Sequence, residues 1–530
     1  MTPEADFVIV GGGTAGCVLA NRLSSDARNT VALIEAGGED ASPWIRMPAG
    51  AAKLFPHPTL NWRYWTEPEP ALRGRRLYWP RGKVLGGTSS INGMTYVRGN
   101  RADFDEWSRI AGDTWAWDRV LPYFRKLEDS PVGDPALRGK GGPLGVGLVG
   151  SPHPLSRAYL EAAVAAGIAS NDDYNGATQD GLAFNQVMMR GGVRVSAASA
   201  YLAPVRSRAN LQVLTDSHVR RIVVEEGRAV GIELERGGRV ERMRARREVI
   251  LCAGAVASPQ VLLLSGIGDG AALGALGIHV VAHRPQVGRN MQEHVRAQVV
   301  YRTRVPSFNR DATGWRLLRE AARYALGKRG LLAVTASQVN GFVRSTDGLD
   351  RPDVQLVFRP SSGDYRDGRY VVHEYQGVMA MAGLLHPRSR GHVALASADP
   401  RAAPAIVAGH LTDPADMLPL MFGVRLLRRI FATAPIASMI DAEVRPGASV
   451  DDDASLREYL HATADSLYHA VGTCAMGLGD DAVTTPDLRV RGVDGLRVVD
   501  ASVMPATPTG NTTAPVLMIA ERAADSILQA

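Results

Sequence analysis

The chain opens with two apolar runs separated by a glycine-rich segment and an amphipathic stretch. The runs "DFVIV" at 6–10 and "TVALIEAGG" at 30–38 are rich in aliphatic and β-branched residues, so they predict buried strands. Between them, "TAGCVLANRLSSD" places Val18, Leu19 and Leu23 on one face of a helix. The order strand, helix, strand is typical of a parallel α/β sheet.

Two later segments repeat this pattern. The segment "EVILCAGAVASPQVLLLSGIG" at 248–268 predicts a buried strand, a turn of small residues and a helix that starts near Ser258 and Pro259, because proline suits a first helical turn. The segment at 496–528, "LRVVDASVMPATPTGNTTAPVLMIAERAADSIL", predicts a strand that ends at Asp500 and a helix that begins near 511–515. Both are strand–helix units like the first.

In the middle of the chain, the predicted strands do not alternate with helices. Runs at 353–360, 370–387 and 391–397 predict strands, with "GDYRDGR" at 363–369 as a turn. The segment at 413–432 predicts an N-capped helix with a basic exposed face. Without alternating helices, these strands favour an antiparallel sheet backed by helices.

Composition narrows the class of protein. The 530 residues are 45% apolar and 22% charged, with a formal net charge of +6, and domains of ~100–200 residues are usual, so two or more units are expected. The most basic run, "RVERMRARRE" at 239–248, contains two glutamates and follows a "GGR" turn, so it predicts a solvated hairpin strand. We expect no nucleic-acid partner.

The cysteine pattern and the hydropathy of the chain indicate in which cellular compartment the protein is expected. Cys17, Cys252 and Cys474 are far apart and match neither a zinc nor a disulfide pattern, which suits a reducing environment. The N-terminus lacks a basic region before its short apolar run, and no stretch approaches the ~20 apolar residues of a membrane span. The sequence therefore predicts a cytoplasmic protein without a membrane span or a metal site.

The first strand–helix–strand unit carries a dinucleotide signature. Gly11, Gly13 and Gly16 satisfy G-x-G-x-x-G between strand and helix, and Glu35 ends the second strand nineteen residues after Gly16. Glycines let the backbone approach a pyrophosphate at the helix N-terminus, and the acid accepts hydrogen bonds from a ribose diol. The pattern predicts an adenine dinucleotide and disfavours a 2′-phosphate, which leaves FAD or NAD.

A family resemblance decides between the two. The fingerprint, "GKVLGGTSSIN", "GAVASPQVLLLSGIG", "VGRNMQEH", "HPRSRGHVAL", "YHAVGTCAMG" and "GNTTAP" follow one another in the order typical of glucose–methanol–choline oxidoreductases. The chain resembles that family over almost its whole length, and is most similar to the bacterial choline and alcohol dehydrogenase branch. The resemblance implies FAD as cofactor and a Rossmann-like FAD-binding domain.

The same resemblance implies which residues contact FAD. Some members attach the flavin covalently through a histidine at the position of Ile91, and an alkyl side chain cannot form that bond, so we expect non-covalent FAD. The implied cofactor residues are Gly11, Gly13, Thr14, Ala15, Gly16, Glu35, Ala36, Val84, Gly87, Asn92, Gly93, Met94, Thr95, Val219, Ala253, Asp500, Ala501 and Thr512.

His469 and Asn511 are the catalytic candidates. Oxidation of an alcohol requires a base for the hydroxyl proton, and the unperturbed histidine pKa of ~6.5 lies near working pH. An amide NH₂ can stabilise the developing alkoxide without changing its own charge. The resemblance places His469 and Asn511 in these roles beside the flavin, although Asn511 is also a natural helix N-cap.

The resemblance also implies two discontinuous domains. We expect an FAD domain from 1–155, 190–295 and 450–530, and a substrate domain from 156–189 and 296–449. The chain as a whole is then α/β, with α+β character contributed by the antiparallel sheet.

The substrate is less clear from the sequence. The segments "LNWRYW" at 60–65 and "RPSSGDYRDGRY" at 359–370 are candidates to line an entrance, and neither is assigned. Choline requires an aromatic cage with an acid, and no such set can be located, so a neutral primary alcohol is the expectation. Oxygen or another acceptor takes the electrons. A hydroxynitrile lyase that keeps FAD, and a non-catalytic flavin-binding protein, remain as alternatives.

Overall fold

The structure, a computed structural model, describes residues 3–366 and 368–529. Its α-helices are α1 (Thr14–Leu23), α2 (Pro43–Arg46), α3 (Ala51–Leu54), α4 (Arg101–Ala111), α5 (Trp117–Leu127), α6 (Pro154–Ala165), α7 (Gly254–Leu264), α8 (Gly270–Ala275), α9 (Phe308–Asp311), α10 (Gly314–Gly327), α11 (Met417–Phe431), α12 (Ile436–Met439), α13 (Asp453–Thr463) and α14 (Thr513–Gln529). Its strands are β1 (Glu4–Val10), β2 (Val31–Ile34), β3 (Tyr64–Trp65), β4 (Tyr78–Trp79), β5 (Glu128–Asp129), β6 (Leu144–Leu148), β7 (Gly181–Phe184), β8 (Gln186–Arg190), β9 (Val193–Arg194), β10 (Leu211–Leu214), β11 (Ser217–Glu225), β12 (Arg228–Arg236), β13 (Arg239–Leu251), β14 (Ile267–Gly268), β15 (Ala282–His283), β16 (Val295–Thr303), β17 (Val339–Val343), β18 (Val354–Arg359), β19 (Gly363–Arg366), β20 (Arg369–Val372), β21 (Gly377–Leu384), β22 (His392–Ala394), β23 (Ala405–Val407), β24 (Ile440–Arg445), β25 (Asp465–Ser466) and β26 (Leu496–Val498).

The first large sheet is the α/β part of the molecule. Its strand order is β10-β2-β1-β13-β12-β11, and β26 pairs with the end of β13. Strands β10, β2, β1, β13 and β26 are mutually parallel, and helices α1 and α14 pack against each other beside them. Every residue of β2 is buried, as parallel strands covered on both faces require. The predicted α/β class is confirmed.

The basic run at 239–248 forms most of β13. Its N-terminal half pairs antiparallel with β12, from the pair Arg236 and Arg239 to the pair Gly231 and Arg244. Buried and exposed residues alternate at its centre, as expected of a strand with one solvated face. The predicted hairpin strand is therefore present.

Helix α7 begins four residues earlier than the sequence predicted. It starts at Gly254, so Pro259 lies inside the helix rather than in its first turn. Proline has no N–H to donate to the carbonyl of Ala255, which would otherwise lack a partner. The hydroxyl of Thr473 donates to that carbonyl at 2.7 Å. A residue more than two hundred positions away thus makes the internal proline tolerable.

The second large sheet has the order β24-β16-β21-β18-β17-β7, with β25 beside β16. All its pairings are antiparallel, and helix α11 packs on β21 and β16. A side chain at Gly423 of α11 would lie 2.5 Å from the Cβ of Ala382, so this glycine permits close packing of helix on sheet. The expected antiparallel sheet backed by helices is confirmed.

One local prediction in this region is wrong. The segment 363–369, expected to be a turn, contributes to two short strands, β19 and β20, which pair antiparallel. Tyr365 and Tyr370 face each other in this hairpin, with ring centroids 5.2 Å apart. Aromatic cross-strand pairs stabilise such a hairpin, and the sequence pattern did not reveal this pair. Asp367, in the same segment, lies outside the described residues.

The two sheets have separate hydrophobic cores. Leu456 and Leu460 of α13 pack in the core of the second sheet, whereas β26 and α14 belong to the first. The proposed domain limits stay a prediction. Within the described part of the chain, no helix combines the length and the apolar character needed to cross a bilayer.

Candidate active site

The first cavity lies where the parallel strands β1, β2 and β13 end. It has a volume of about 180 Å³ and is lined by residues that follow these three strands, together with the N-terminus of α1. Ligands of open α/β sheets bind in such a crevice at the carboxyl ends of the strands. The topology therefore places a ligand site next to the glycine fingerprint.

Glycines bring three backbone segments together at this cavity. A Cβ on Gly16 would lie 1.9 Å from the carbonyl oxygen of Gly11, and a Cβ on Gly11 would lie 2.5 Å from that of Cys252. A Cβ on Gly87 would lie 2.7 Å from the Cα of Gly13. No side chain fits at these contacts, so the glycines hold β1, α1, β13 and the loop around Gly87 in close contact.

Glu35 stands directly after β2 and is 6% exposed. Its two carboxylate oxygens accept hydrogen bonds from the backbone N–H groups of Gly12 and Gly37, each at 2.8 Å. Burial raises the pKa of Glu35 to about 7, although these two hydrogen bonds oppose the shift. A carboxylate can accept more than two hydrogen bonds, so Glu35 can also receive those of a diol.

The second cavity is larger, about 520 Å³, and lies between the first cavity and the antiparallel sheet. Both cavities share Thr88, Tyr468, Thr512 and Thr513 in their walls, so they adjoin one another. His469 and Asn511 line the second cavity. An elongated ligand in the first cavity can therefore place one end beside these two side chains.

His469 and Asn511 are in direct contact. The amide Nδ2 of Asn511 lies 2.9 Å from Nε2 of His469. The Oδ1 of Asn511 accepts a hydrogen bond from Nε2 of Gln355 at 3.2 Å, which turns the NH₂ group of Asn511 toward the histidine. The backbone N–H of His469 donates to Oε1 of Glu293 at 2.6 Å. Contacts from β18 and from the residues before β16 thus hold the pair in place.

A second histidine contacts His469 from behind. Nδ1 of His294 lies 3.0 Å from Nδ1 of His469, with the rings at 85°. Because the amide of Asn511 donates to Nε2 of His469, that nitrogen is an acceptor and the ring proton resides on Nδ1. His469 then donates from Nδ1 to His294. The contacts select the tautomer whose Nε2 lone pair faces the cavity.

The surroundings keep both imidazoles neutral. Burial lowers the pKa of His469 well below 6.5, and the nearby His294 and Arg81 lower it further. His294 is fully buried, and burial lowers its pKa to about 4, although the carbonyls of Leu385 and Pro508 oppose this shift. A neutral imidazole with a lone pair on Nε2 is the form that can accept a proton.

Comparison with known proteins identifies the chain's relatives. Two family models described as GMC oxidoreductase match residues 5–296 and 387–520. The chain is 43% identical over 529 residues to the oxygen-dependent choline dehydrogenase of Rhizobium etli (strain CIAT 652), covering 99% of this chain and 96% of that one. It is 42% identical over 537 residues to an uncharacterized GMC-type oxidoreductase of Mycobacterium bovis, covering 99% and 100%. The chain belongs to the GMC oxidoreductase family.

Solved structures of the GMC oxidoreductase family have the same fold. The chain superimposes on pyridoxine 4-oxidase from "Mesorbium loti" with a TM-score of 0.90 and 32% identity, covering 99% of both chains. It superimposes on formate oxidase of Aspergillus oryzae with a TM-score of 0.93 and 26% identity, covering 99% of this chain and 98% of that one. The family resemblance expected from the sequence is confirmed, and this GMC oxidoreductase is an FAD-dependent alcohol dehydrogenase or oxidase.

The first cavity fits the adenine dinucleotide part of FAD, because its walls combine backbone groups at the N-terminus of α1 with the Glu35 carboxylate. The implied cofactor residues that line it are Gly11, Gly13, Thr14, Ala15, Glu35, Ala36, Gly87, Val219, Ala253, Asp500, Ala501 and Thr512. Asn92, Gly93, Met94 and Thr95 line the second cavity, as does Thr512. Their individual contacts with FAD stay predictions.

Two implied cofactor residues line neither cavity. Gly16 lies inside α1 and closes the contact with Gly11. Val84 is fully buried and packs with Ile45, Leu54 and Ile91. Both therefore support the walls of the site in this structure.

Asp500 lines the first cavity but is already engaged within the protein. It accepts hydrogen bonds from the backbone N–H of Gly254 at 2.8 Å and from the hydroxyls of Ser258 and Ser502, each at 2.6 Å. These contacts fasten the start of α7 to the turn after β26. Its carboxylate thus shapes the wall of the cavity.

Sequence reasoning missed three features of the site. His294 lies in the "VGRNMQEH" segment, which supported the family resemblance without a role for its histidine. Gln355 had no signal, because a glutamine in a strand is ordinary. Trp62 and Tyr64, noted as candidates for an entrance, line the first cavity instead. Pairing of distant segments, rather than any local pattern, decides all three positions.

The cysteines and acidic residues form no metal site in the part of the chain that the structure describes. Cys17, Cys252 and Cys474 are buried and free, and burial raises the pKa of each thiol. Within residues 3–366 and 368–529, no group of three or more His, Cys, Asp or Glu is placed to hold a metal ion.

Proposed function

We propose that this GMC oxidoreductase oxidises a primary alcohol to the aldehyde, with His469 as the general base. The observation that carries the proposal is the contact between His469 Nε2 and Asn511 Nδ2, 2.9 Å long, in the wall of the second cavity. FAD, when bound, supplies the hydride acceptor for the carbon that bears the hydroxyl. The chain's own side chains must remove the hydroxyl proton and stabilise the oxygen.

His469 removes the proton. Its lowered pKa keeps the imidazole neutral near pH 7. The side chain is therefore in the form that can accept a proton. A substrate hydroxyl that displaces the Asn511 amide from Nε2 can donate its proton there. The proton then resides on an imidazolium whose other nitrogen, Nδ1, donates to His294. General bases of this kind contribute a factor of ~10²–10⁴ in rate.

Asn511 stabilises the oxygen from which the proton leaves. Its NH₂ group is oriented by Gln355, which bonds to the Oδ1 atom of the same amide. The group released from His469 can donate to the alkoxide, and such a donor lowers the barrier without a change of charge. The base and the donor then act on the same oxygen atom.

His294 is a positioning residue. Its Nδ1 accepts the hydrogen bond from Nδ1 of His469, and its ring is fully buried. This contact holds the ring of His469 in one orientation and one tautomer. A partner behind a reactive histidine plays the same part for metal-bound histidines.

The electron acceptor belongs to the proposal as well. The relatives from Rhizobium are named oxygen-dependent choline dehydrogenases, which supports oxygen as the acceptor for this chain. The apolar side chains of Leu467, Met94 and Ile91 line the second cavity together with the catalytic pair. A cytoplasmic location stays a prediction from the cysteine pattern.

The test is anaerobic mixing of the FAD-loaded protein with a panel of primary alcohols in a stopped-flow spectrophotometer. We expect the yellow flavin to bleach, and admission of oxygen to restore the colour with formation of hydrogen peroxide. Dye reduction without peroxide would move the acceptor from oxygen to another partner. Cyanide release from a cyanohydrin without any bleaching would contradict the proposal in favour of the lyase. Absence of both reactions would leave a flavin-binding protein.

A further inference from the structure

The second cavity has an unusual balance of charge for a chain so similar to choline dehydrogenases. Its lining contains the cationic side chains of Lys53, Arg296 and Arg359. Among the described residues, no Asp or Glu lines it. A site for a quaternary ammonium combines aromatic faces with negative charge, whereas the charged side chains that line this cavity are positive. The inference below rests on the proposed function, because it concerns the substrate of the same site.

Arg296 does not account for this charge, because its hydrogen bonds are satisfied within the protein. Its guanidinium pairs with Asp465 at 2.6 Å and donates to the carbonyl of Ser466 at 3.1 Å. A third contact reaches the sulfur of Met381 at 3.0 Å. The side chain is 5% exposed. Arg296 and Asp465 together form a neutral, closed wall.

Arg359 is different. Among the residues that the structure describes, its side chain makes one hydrogen bond, from Nε to the hydroxyl of Ser337 at 3.1 Å. Within the described part of the chain, no carboxylate lies within 4.0 Å of its guanidinium. A guanidinium has five N–H donors in a planar fork that matches a carboxylate. The remaining donors of Arg359 are available to a ligand in the cavity.

Three residues with hydroxyl groups, Tyr370, Ser361 and Tyr365, line the second cavity together with Arg359. The Oη atom of Tyr370 is buried, and the nearby Arg359 guanidinium and Ser361 hydroxyl both lower its pKa against the effect of burial. The phenol keeps a proton that it can donate to a bound anion. The cavity thus offers a guanidinium and a phenol close to each other.

The strand β18 sets the distance between this group and the catalytic pair. Gln355, Val357 and Arg359 alternate along the strand and all line the cavity. Gln355 contacts Asn511, and four residues along a strand at about 3.3 Å each separate the Cα atoms of Gln355 and Arg359 by about 13 Å. The apolar side chains of Val357 and Met381 lie between the two ends. The cavity is polar at both ends and apolar in the middle.

We propose that the substrate is a primary alcohol with an anionic group, for which carboxylate is the probe, separated from the carbinol by an apolar spacer. Arg359 binds the anionic group, Tyr370 donates to it, and the hydroxyl lies between His469 and Asn511. An aromatic ring is a spacer of suitable length and polarity. A trimethylammonium group at the same place would meet an unpaired guanidinium, so choline is a poor substrate.

A binding measurement tests the anion site without turnover. Isothermal titration calorimetry of the FAD-loaded protein compares 4-methylbenzoate with its neutral analogue 4-methylbenzamide. We expect the benzoate to bind more tightly, and R359Q to weaken it by ~10–100-fold, as loss of a hydrogen bond between charged groups predicts. R369Q is the matched control, because Arg369 is exposed and does not line the cavity. Equal binding of both compounds to the wild type overturns the proposal.

A turnover measurement tests substrate choice. Three para-substituted benzyl alcohols carry an anionic, a neutral and a cationic substituent: 4-(hydroxymethyl)benzoate, 4-methylbenzyl alcohol and 4-(hydroxymethyl)phenyltrimethylammonium. We expect kcat/KM to fall in that order for the wild type. R359Q should bring the ratio of the first two toward one, and R359E should favour the ammonium compound. A preference for the benzoate that survives R359Q overturns the role of Arg359.

The two arms separate this proposal from the proposed function. Bleaching by the neutral or cationic alcohol, but not by the benzoate, overturns the anion site and leaves alcohol oxidation intact. Tight, Arg359-dependent binding of 4-methylbenzoate without bleaching by any of the three alcohols supports the anion site and counts against alcohol oxidation. 4-(Hydroxymethyl)benzoate carries the same ring and carboxylate as 4-methylbenzoate, so the calorimetric result applies to that alcohol.

Discussion

The two cavities are built from different materials. The first is made mostly of backbone and small residues, brought together by glycines whose neighbours leave no room for a Cβ. The second is lined by larger side chains from β16, β18 and β21, from the hairpin of β19 and β20, and from the segments around His469 and Asn511. A wall made of backbone is the same whatever its side chains, so it serves a cofactor shared by a family. A wall made of side chains can change its charge one residue at a time.

This difference explains how a chain can be 43% identical to a choline dehydrogenase and still have a cationic second cavity. The residues that hold the dinucleotide depend on main-chain geometry, which tolerates few substitutions. The charge of the second cavity depends on single residues such as Arg359 and on pairs such as Arg296 with Asp465. Substitutions in the first cavity should therefore impair the binding of FAD, and substitutions in the second should change the rate of flavin reduction.

The largest effect should follow a change in the backbone-built cavity. Gly16→Ala places a Cβ 1.9 Å from the carbonyl of Gly11, and overpacking in a close-packed core costs about 1–3 kcal/mol or more. We expect the variant to be purified without FAD. The visible absorption spectrum of the purified protein measures this, because it should lack the flavin bands. The control is Gly274→Ala, an exposed helical position with open space for a Cβ. Full FAD content in the Gly16 variant would show that the close contact is unnecessary.

The next effect concerns the base. His469→Ala should keep FAD, because His469 does not line the first cavity, and should slow flavin reduction by ~10²–10⁴. Anaerobic stopped-flow absorbance measures the rate. His279→Ala, which removes an exposed histidine that lines neither cavity, should reduce the flavin at the wild-type rate. A base elsewhere in the chain is indicated if the His469 variant is equally fast.

Asn511→Ala should have a somewhat smaller effect. Loss of one donor to a developing oxyanion costs ~10²–10³ in rate, and the same stopped-flow experiment measures it. Gln355→Ala, which removes the partner of Asn511 Oδ1, should have a weaker effect in the same direction. An Asn511 variant that loses FAD instead of rate would mean that its main role is structural, although α14 begins at Thr513 and the Asn511 oxygen accepts from Gln355 rather than capping the helix.

His294 should contribute less than the residues it supports. His294→Leu removes the acceptor for Nδ1 of His469, and by analogy with partners that orient metal-bound histidines we expect a loss of ~10–100-fold. His294→Asn should restore part of the rate, because its Oδ1 can accept the same hydrogen bond. Equal rates for the leucine and asparagine variants would show that His294 contributes packing and not the hydrogen bond to His469.

The smallest predicted effect is that of pH on the rate of flavin reduction, which should stay constant in the range where an ordinary histidine titrates. A histidine with the ordinary pKa of ~6.5 is half protonated at that pH, and the pKa of His469 lies well below this value. The neutral base therefore persists as the pH falls through about 6.5, and flavin reduction should not decline there on account of His469. A decline at that pH which persists in the Glu293→Gln variant would contradict the lowered pKa.

Glu293 requires this control because, of the two titratable groups that contact His469 in the described part of the chain, it has a pKa near neutral pH, whereas the pKa of His294 is lowered to about 4. Burial raises the pKa of Glu293 to about 7, while Arg81 and the His469 backbone N–H oppose the shift. The carboxyl therefore gains a proton as the pH falls through about 7, which weakens its hydrogen bond with the His469 N–H. A decline that Glu293→Gln removes would belong to this carboxyl.

The sequence could indicate the glycine-rich segment beside the first cavity because the signals of that segment are local. Gly11, Gly13, Gly16 and Glu35 lie within one strand–helix–strand unit, and their spacing follows from the geometry of that unit. The start of α7 was placed wrongly because the tolerance for Pro259 depends on Thr473. The hairpin at 363–372 was missed because its stability depends on packing between Tyr365 and Tyr370.

By itself, the sequence determined the α/β class, the dinucleotide fingerprint, the family and the two candidate catalytic residues, since each depends on short segments with their own periodicity or motif. Only the tertiary structure decided that His294 supports His469, that Gln355 orients Asn511, and that Arg359 lacks an acidic partner among the described residues. Hydrogen bonds and ion pairs act over a few ångströms, and the residues concerned are separated by as many as 175 positions. Which side chains come within that range is fixed by the pairing of strands, and no local pattern encodes it.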